Sequence, residues 1–124
     1  MKFNCVIDTN IIISALLKND SNPGKIIKFV KDLVIIPYYN ANILEEYQKV
    51  LNYEKFFFDK NTSLYALALF IKKGFTQNHF LHSTFEFNDE YDQILYETYL
   101  SLSSEKENCY LITGNKSIFL MKQI

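Results

Sequence analysis

Phe3-Asn4-Cys5-Val6-Ile7-Asp8-Thr9-Asn10-Ile11-Ile12-Ile13 is the stretch on which the fold turns. Residues 3–7 are a short apolar run of the kind a buried strand carries, and residues 11–17 continue as an apolar helix. Between them stand three polar residues, Asp8, Thr9 and Asn10. A strand that hands over directly to a helix is the first half of a β–α–β unit, and such units build parallel sheets.

The same alternation continues along the chain. Asn22-Pro23 reads as a helix start, with Asn as the cap and Pro at the first helical position, and the helix runs to about residue 31. Residues 33–37 read as a second strand, β-branched at Val34, Ile35 and Ile36 and closed by Pro37. Asn40 caps a helix over 41–51, and a further helix runs from about 62 to 73 and stops at Gly74. Residues 80–85 are expected as a third strand, and Asn88 as the cap of a helix over 89–103. Residues 109–113 form the fourth strand, after which Gly114-Asn115 turns into a last helical stub. Alternating strands and helices define an α/β class, a three-layer α/β/α sandwich around a central parallel sheet. No linker, repeat or low-complexity stretch interrupts it, so residues 1–124 are expected to form a single domain.

Composition narrows the function. An apolar content of 48%, with 9 Tyr and 11 Phe, excludes a disordered chain. The net charge of −1 supplies no global positive field. All 13 basic residues are Lys, so a phosphate can be met only by ammonium groups, backbone N–H groups or a metal ion. No segment is apolar enough to span a membrane, and Asp8 and Asn10 split the only run resembling a signal peptide. Cys5 and Cys109 are too few and too far apart for a zinc site or a disulfide scaffold; both read as buried strand thiols in a reducing cytoplasm.

Open parallel sheets gather function at the carboxyl ends of their strands. Two such ends carry polar turns here, Asp8-Thr9-Asn10 and Thr113-Gly114-Asn115. Each is equally explained as helix capping, since Asp, Thr and Asn are all cap formers. Helical wheels supply partners for a chemical reading. On the 41–51 helix the apolar arc is Ile43, Leu44, Tyr47, Val50 and Leu51; Glu46 borders it, whereas Glu45 points away. On the 89–103 helix, Asp92 flanks the arc of Tyr91, Ile94, Leu95, Tyr99 and Leu102, while Asp89, Glu90 and Glu97 lie well outside it. Asp89 and Glu90 are accounted for as first-turn acids that favour the helix dipole. Asp8, Glu46 and Asp92 thus form an inward trio from three elements. Three crowded carboxylates need a cation, and oxygen ligands select a hard one, Mg²⁺ or Mn²⁺.

These segments resemble the PIN-domain family, and within it the VapC-like ribonuclease toxins. Val6-Ile7-Asp8-Thr9-Asn10-Ile11 resembles its opening motif, Leu44-Glu45-Glu46 its second, Asp89-Glu90-Tyr91-Asp92 its third and Leu111-Ile112-Thr113-Gly114-Asn115 its fourth. The resemblance implies strand order 3-2-1-4-5 and cleavage of RNA phosphodiesters with Mg²⁺ or Mn²⁺. It implies that Asp8 and Asp92 ligate the metal, that Glu46 ligates it through water or positions the nucleophile, and that Asn115 completes the catalytic set. Thr9, Asn10 and Thr113 would orient those groups or a water. It further implies a toxin held silent by a small antitoxin protein, and a homodimer. The chain departs from the pattern in three places. Asn115 stands where many members have Asp, Ile118 where close relatives often have His, and the sequence stops at Ile124, where a fifth strand would follow. The fifth strand is therefore expected to be missing or the gene cut short. These departures leave a second reading open, a catalytically weak PIN-like module that binds RNA or a protein.

Three smaller features bear on function. His79 and His82, three apart on an expected strand, should face opposite ways and share no metal. Phe56-Phe57-Phe58 is more than one amphipathic face can hide, so it packs in the core or marks a groove for a partner. Lys72, Lys73, Lys116 and Lys122 either track an RNA backbone or are solvated surface. Aspartyl phosphatases also place an Asp at a strand end, but they need a second acid where Asn10 stands.

Overall fold

A computed structural model describes residues 1–84 and 86–114. Strand β1 (Phe3–Ile7) leads into α1 (Thr9–Leu17) and α2 (Asn22–Lys31), then β2 (Ile35–Tyr39) and α3 (Ala41–Leu51). After a 3-10 turn (Glu54–Phe56) come α4 (Lys60–Lys73), β3 (Phe75–Thr76), α5 (Glu90–Glu105) and β4 (Cys109–Ile112). The four strands are parallel in the order β3-β2-β1-β4, with Ile7 opposite Ile112 and Cys5 opposite Pro37. Helices flank this sheet: α2 packs on β2, α5 on β1 and β4, and α3 against both β2 and α5. The result is the expected α/β/α sandwich. The order matches 3-2-1-4; the place of a fifth strand, Asn115 and Ile118 lies outside the described residues.

Burial explains why these segments settle as they do. Val6, Ile7, Val30, Ile43, Leu95 and Leu102 are completely buried, each worth about 1.5–3 kcal/mol of transfer free energy. The caps sit beside rather than on some of the expected residues. Ser21, not Asn22, caps α2, its Oγ accepting the Gly24 N–H at 3.2 Å, so Pro23 falls at the second helical position. Asp89, not Asn88, caps α5. Asn40 caps α3 as expected, its Oδ1 accepting the Ile43 N–H at 3.1 Å.

Two strands differ from the sequence reading. β2 lies two residues later and takes Pro37 into its middle instead of ending there. Phe3 N–H donates to the Val34 carbonyl and Gln77 N–H to that of Tyr39, so odd residues of β2 bond toward β3. Pro37 thus lacks its N–H on the side where β3 begins pairing only opposite Tyr38. The third strand is Phe75–Thr76; residues 80–84 form no strand. Of the phenylalanine run, Phe56 and Phe58 pack on the core and stack 5.7 Å apart, whereas Phe57, in a left-handed conformation, stands 91% exposed.

Gly24 sits hard against the backbone of Asn19. A Cβ there would stand 1.9 Å from the Asn19 carbonyl oxygen. Gly24→Ala is expected to cost roughly 1–3 kcal/mol or more, because the first turn of α2 must move away. A thermal melt indistinguishable from wild type would overturn this.

Candidate active site

The site grows from the parallel pairing of β1 with β4, which brings Ile7 beside Ile112 and their next residues, Asp8 and Thr113, together. Thr113 Oγ1 donates to Asp8 Oδ2 at 2.6 Å. Asp8 stands at the cap position of α1 yet makes no side-chain capping hydrogen bond. The Thr113 hydroxyl, rather than a capping bond, fixes its carboxylate. The residue is 4% exposed. Burial pushes its pKa above the ordinary aspartate value, the Thr113 hydroxyl and the nearby N–H groups of Asn10 and Thr9 pull it down, and the charge of Asp89 raises it further. The net direction is up.

Two phenols brace this strand end, Tyr47 buried and Tyr91 half-buried. Tyr47 of α3 donates its hydroxyl to the Ile7 carbonyl, immediately before Asp8. Tyr91 of α5 shares a 2.8 Å hydrogen bond with Thr9 Oγ1. Burial drives the Tyr91 phenol far above the usual tyrosine range, and the charges of Asp8 and Glu46 add to the shift. Tyr91 thus lies within reach of both acids and stays protonated. Beside it opens a cleft of about 300 Å³, bordered by Asn42, Glu45, Glu46, Lys49, Asp89, Glu90, Tyr91 and Ile94; Asp8 and Asp92 are not among the residues that line it.

Glu46 is half-buried, 3.9 Å from Lys49 Nζ, while Glu45 is exposed, as the wheel required. Asp92 is half-buried in the first turn of α5. Thr9 is buried, and Asn10 is exposed at the start of α1. Asn115 lies outside the described residues. Asp89 carries more than the helix-dipole role assigned from sequence: it accepts the Tyr91 N–H at 2.9 Å, borders the cleft, and its charge reaches Asp8. Periodicity marked Tyr91 only as part of the packed arc and set Asp89 outside it; the signal for a role at the site was the Asp-x-Tyr-Asp spacing in the first turn of α5.

A second correction concerns Glu97, which the wheel placed outside the packed arc. It is 4% exposed. Its Oε2 accepts from Ser83 N–H at 3.0 Å and Gln93 Nε2 at 3.2 Å, and its two oxygens stand 3.7 Å from Nδ1 of His79 and of His82. Burial raises its pKa, but the Ser83 N–H, the Gln93 amide and the two rings outweigh that and leave it below the ordinary glutamate value. The histidines therefore converge on one carboxylate rather than facing apart, because the segment bearing them is an irregular chain laid over α5.

The donor chemistry near Asp8 is all oxygen, which fits a hard divalent cation. Among the described residues no three His, Cys, Asp or Glu side chains stand ready as a metal cluster. That is compatible with Mg²⁺-type binding, in which one or two carboxylates suffice and water or substrate phosphate fills the other positions. Cys5 is buried, while Cys109 is only partly so. Among the described residues no helix is long and apolar enough to cross a membrane.

A parallel α/β sheet with a buried carboxylate at the end of its first strand, and further acids on two neighbouring helices, is the architecture of a nuclease class. A family model described as PIN domain matches residues 4–117, and the chain belongs to the PIN-domain family, a family of nucleases that typically work with divalent metal ions. No curated protein and no solved structure matches the chain.

Proposed function

We propose that residues 1–124 act as one PIN unit, a cytoplasmic endoribonuclease dependent on Mg²⁺ or Mn²⁺, and that it is the toxin half of a toxin–antitoxin pair. The observation that carries the reading is Asp8: a buried acid at a strand end, held by the Thr113 hydroxyl from the neighbouring strand end. On this reading Asp8 and Asp92 would hold the cation, and Glu46 and Asn115 would complete the catalytic set. When bound, such an ion supplies an activated water and neutralises charge building on the phosphodiester. Thr113 fixes the Asp8 carboxylate through its hydroxyl, and Thr9, fixed by Tyr91, stands beside it. Asn10, exposed at the start of α1, is available to orient a water. RNA, a small antitoxin protein and a second copy of the chain are the partners this reading assigns.

The lack of a ready-made three-acid cluster among the described residues favours one alternative, a PIN-like module that binds RNA or a protein and cuts weakly. A cleavage assay on single-stranded RNA with Mg²⁺ or Mn²⁺ separates the two. Wild type should cut, EDTA should stop it, and Asp8→Ala should lower the rate at least ~10²-fold. Metal-independent cutting, or equal rates in the variant, would sink the nuclease reading. For the toxin role, expression of the chain should arrest growth and co-expression of a small neighbouring open reading frame should relieve the arrest.

A further inference from the structure

Beside the acidic cleft lies a second cavity, of about 310 Å³, lined by Asn40, Ala41, Asn42, Asn78, His79 and Phe80. Asn42 borders both cavities, so they adjoin. The volume is at the low end of the roughly 300–1,000 Å³ of small-molecule clefts. Phe80 is 50% exposed. An exposed ring by itself says nothing. Here it stands beside two exposed carboxamides, Asn42 and Asn78, whose side chains make no hydrogen bond to the described chain. Asn40, by contrast, is fully engaged, with Gln77 O, Thr98 Oγ1 and Ile43 N–H.

The segment that carries Phe80 is fixed at several points. Gln77 N–H donates to Tyr39 O at 2.7 Å, Gln77 Nε2 to Glu105 Oε1 at 3.1 Å, Leu81 N–H to Ser101 Oγ at 3.0 Å and Ser83 N–H to buried Glu97. Glu97 and its two histidines serve no step at Asp8. Their effect is to hold residues 77–83 against α5, which presents the Phe80 ring on rigid backbone. A flat π-surface flanked by amides that can both donate and accept is what recognises a nucleobase, by stacking and by edge hydrogen bonds.

We infer that this cavity is a base-binding subsite, which seats one unpaired base of a single-stranded polynucleotide on Phe80, with Asn42 and Asn78 at its edge, next to the carboxylate cleft. The identity of the ligand rests on the nuclease reading; the subsite itself does not depend on cleavage. It makes the substrate an unpaired strand rather than a duplex, because a base within a helix cannot present its face to the ring.

The chain contains no Trp, so Phe80→Trp places a single reporter in the subsite. In an Asp8→Ala background with Mg²⁺, a mixed-sequence single-stranded RNA octamer should quench its fluorescence saturably, and an abasic ribose–phosphate octamer of equal charge should not. Asn42→Ala and Asn78→Ala should weaken the quenching titration. In the otherwise wild-type chain, Phe80→Ala should raise KM roughly 5- to 150-fold while leaving kcat near its original value, and Phe80→Tyr should restore KM. Equal quenching by the abasic strand, or none by RNA, overturns the subsite, and so does efficient cutting without quenching. Quenching by RNA in a protein that never cuts supports the subsite and removes the nuclease reading instead.

Discussion

Asp8→Asn should abolish cleavage, by at least ~10²-fold, and yet melt higher than wild type at neutral pH when both are stripped of metal. The two effects share one cause. Asp8 is almost fully buried, and burial holds its pKa above the unfolded value. A raised carboxylate pKa means that the native state disfavours the charge. The native state keeps its full stability below the unfolded pKa, where Asp8 is neutral in both states, and loses some as pH rises through the folded pKa. At neutral pH wild type carries that cost and the asparagine variant does not, while Thr113 can still donate to the new amide oxygen. The advantage of the variant should close as pH falls below the ordinary aspartate range. Scanning calorimetry in EDTA across pH checks this; a variant less stable at pH 7, or a gap that ignores pH, would refute it. Adding Mg²⁺ or Mn²⁺ should reverse the ranking, since ligand at 100 times its Kd stabilises the native state by about 2.7 kcal/mol and only wild type can hold it.

Phe70→Ala is expected to cost about 3–5 kcal/mol, the range for emptying a well-packed aromatic site. Phe70 is 1% exposed and meets Tyr47 edge-to-face, 5.6 Å between centroids at 85°. Tyr47 in turn holds the Ile7 carbonyl. The cavity therefore opens directly behind the strand end that carries Asp8, so activity should fall even at temperatures where the variant remains folded. For a chain of this size the loss corresponds to a drop on the order of 10–20 °C in Tm, a large part of a typical 5–15 kcal/mol stability. Ile71, the next residue, is 52% exposed, and Ile71→Ala should stay within about 1 kcal/mol of wild type. Urea titration of the pair is the check: similar midpoints would show that the α4 core face is not where the structure puts it.

What could be read from sequence follows from what leaves a periodic trace. β1, β4 and the polar turn after each were legible because a short apolar run ending in Asp8 or Thr113 is visible without neighbours. Glu46 was legible for the same kind of reason, as an acid at the border of an apolar arc, and it is half-buried while Glu45 is exposed. β3 was not, being two exposed residues with no pattern to detect, whereas Phe80-Leu81-His82-Ser83 imitates an alternating strand and forms none. Glu97 escaped because a wheel drawn from apolar residues is blind to a face covered by polar chain: its burial depends on Ser83, His79 and His82, which arrive from elsewhere in the sequence. Pro37 misled through a rule true of most central strands, since the missing N–H is harmless on a side where no neighbour has yet begun.

The bond between Asp8 and Thr113 joins residues 105 positions apart. β1 can pair with β2 once some forty residues exist, but its other edge stays open until β4 is made. On a ribosome the chain emerges N-terminus first, so the carboxylate is made 105 residues before the hydroxyl that fixes it. Until β4 has formed beside β1, a nascent chain carries Asp8 without the hydroxyl that orients it.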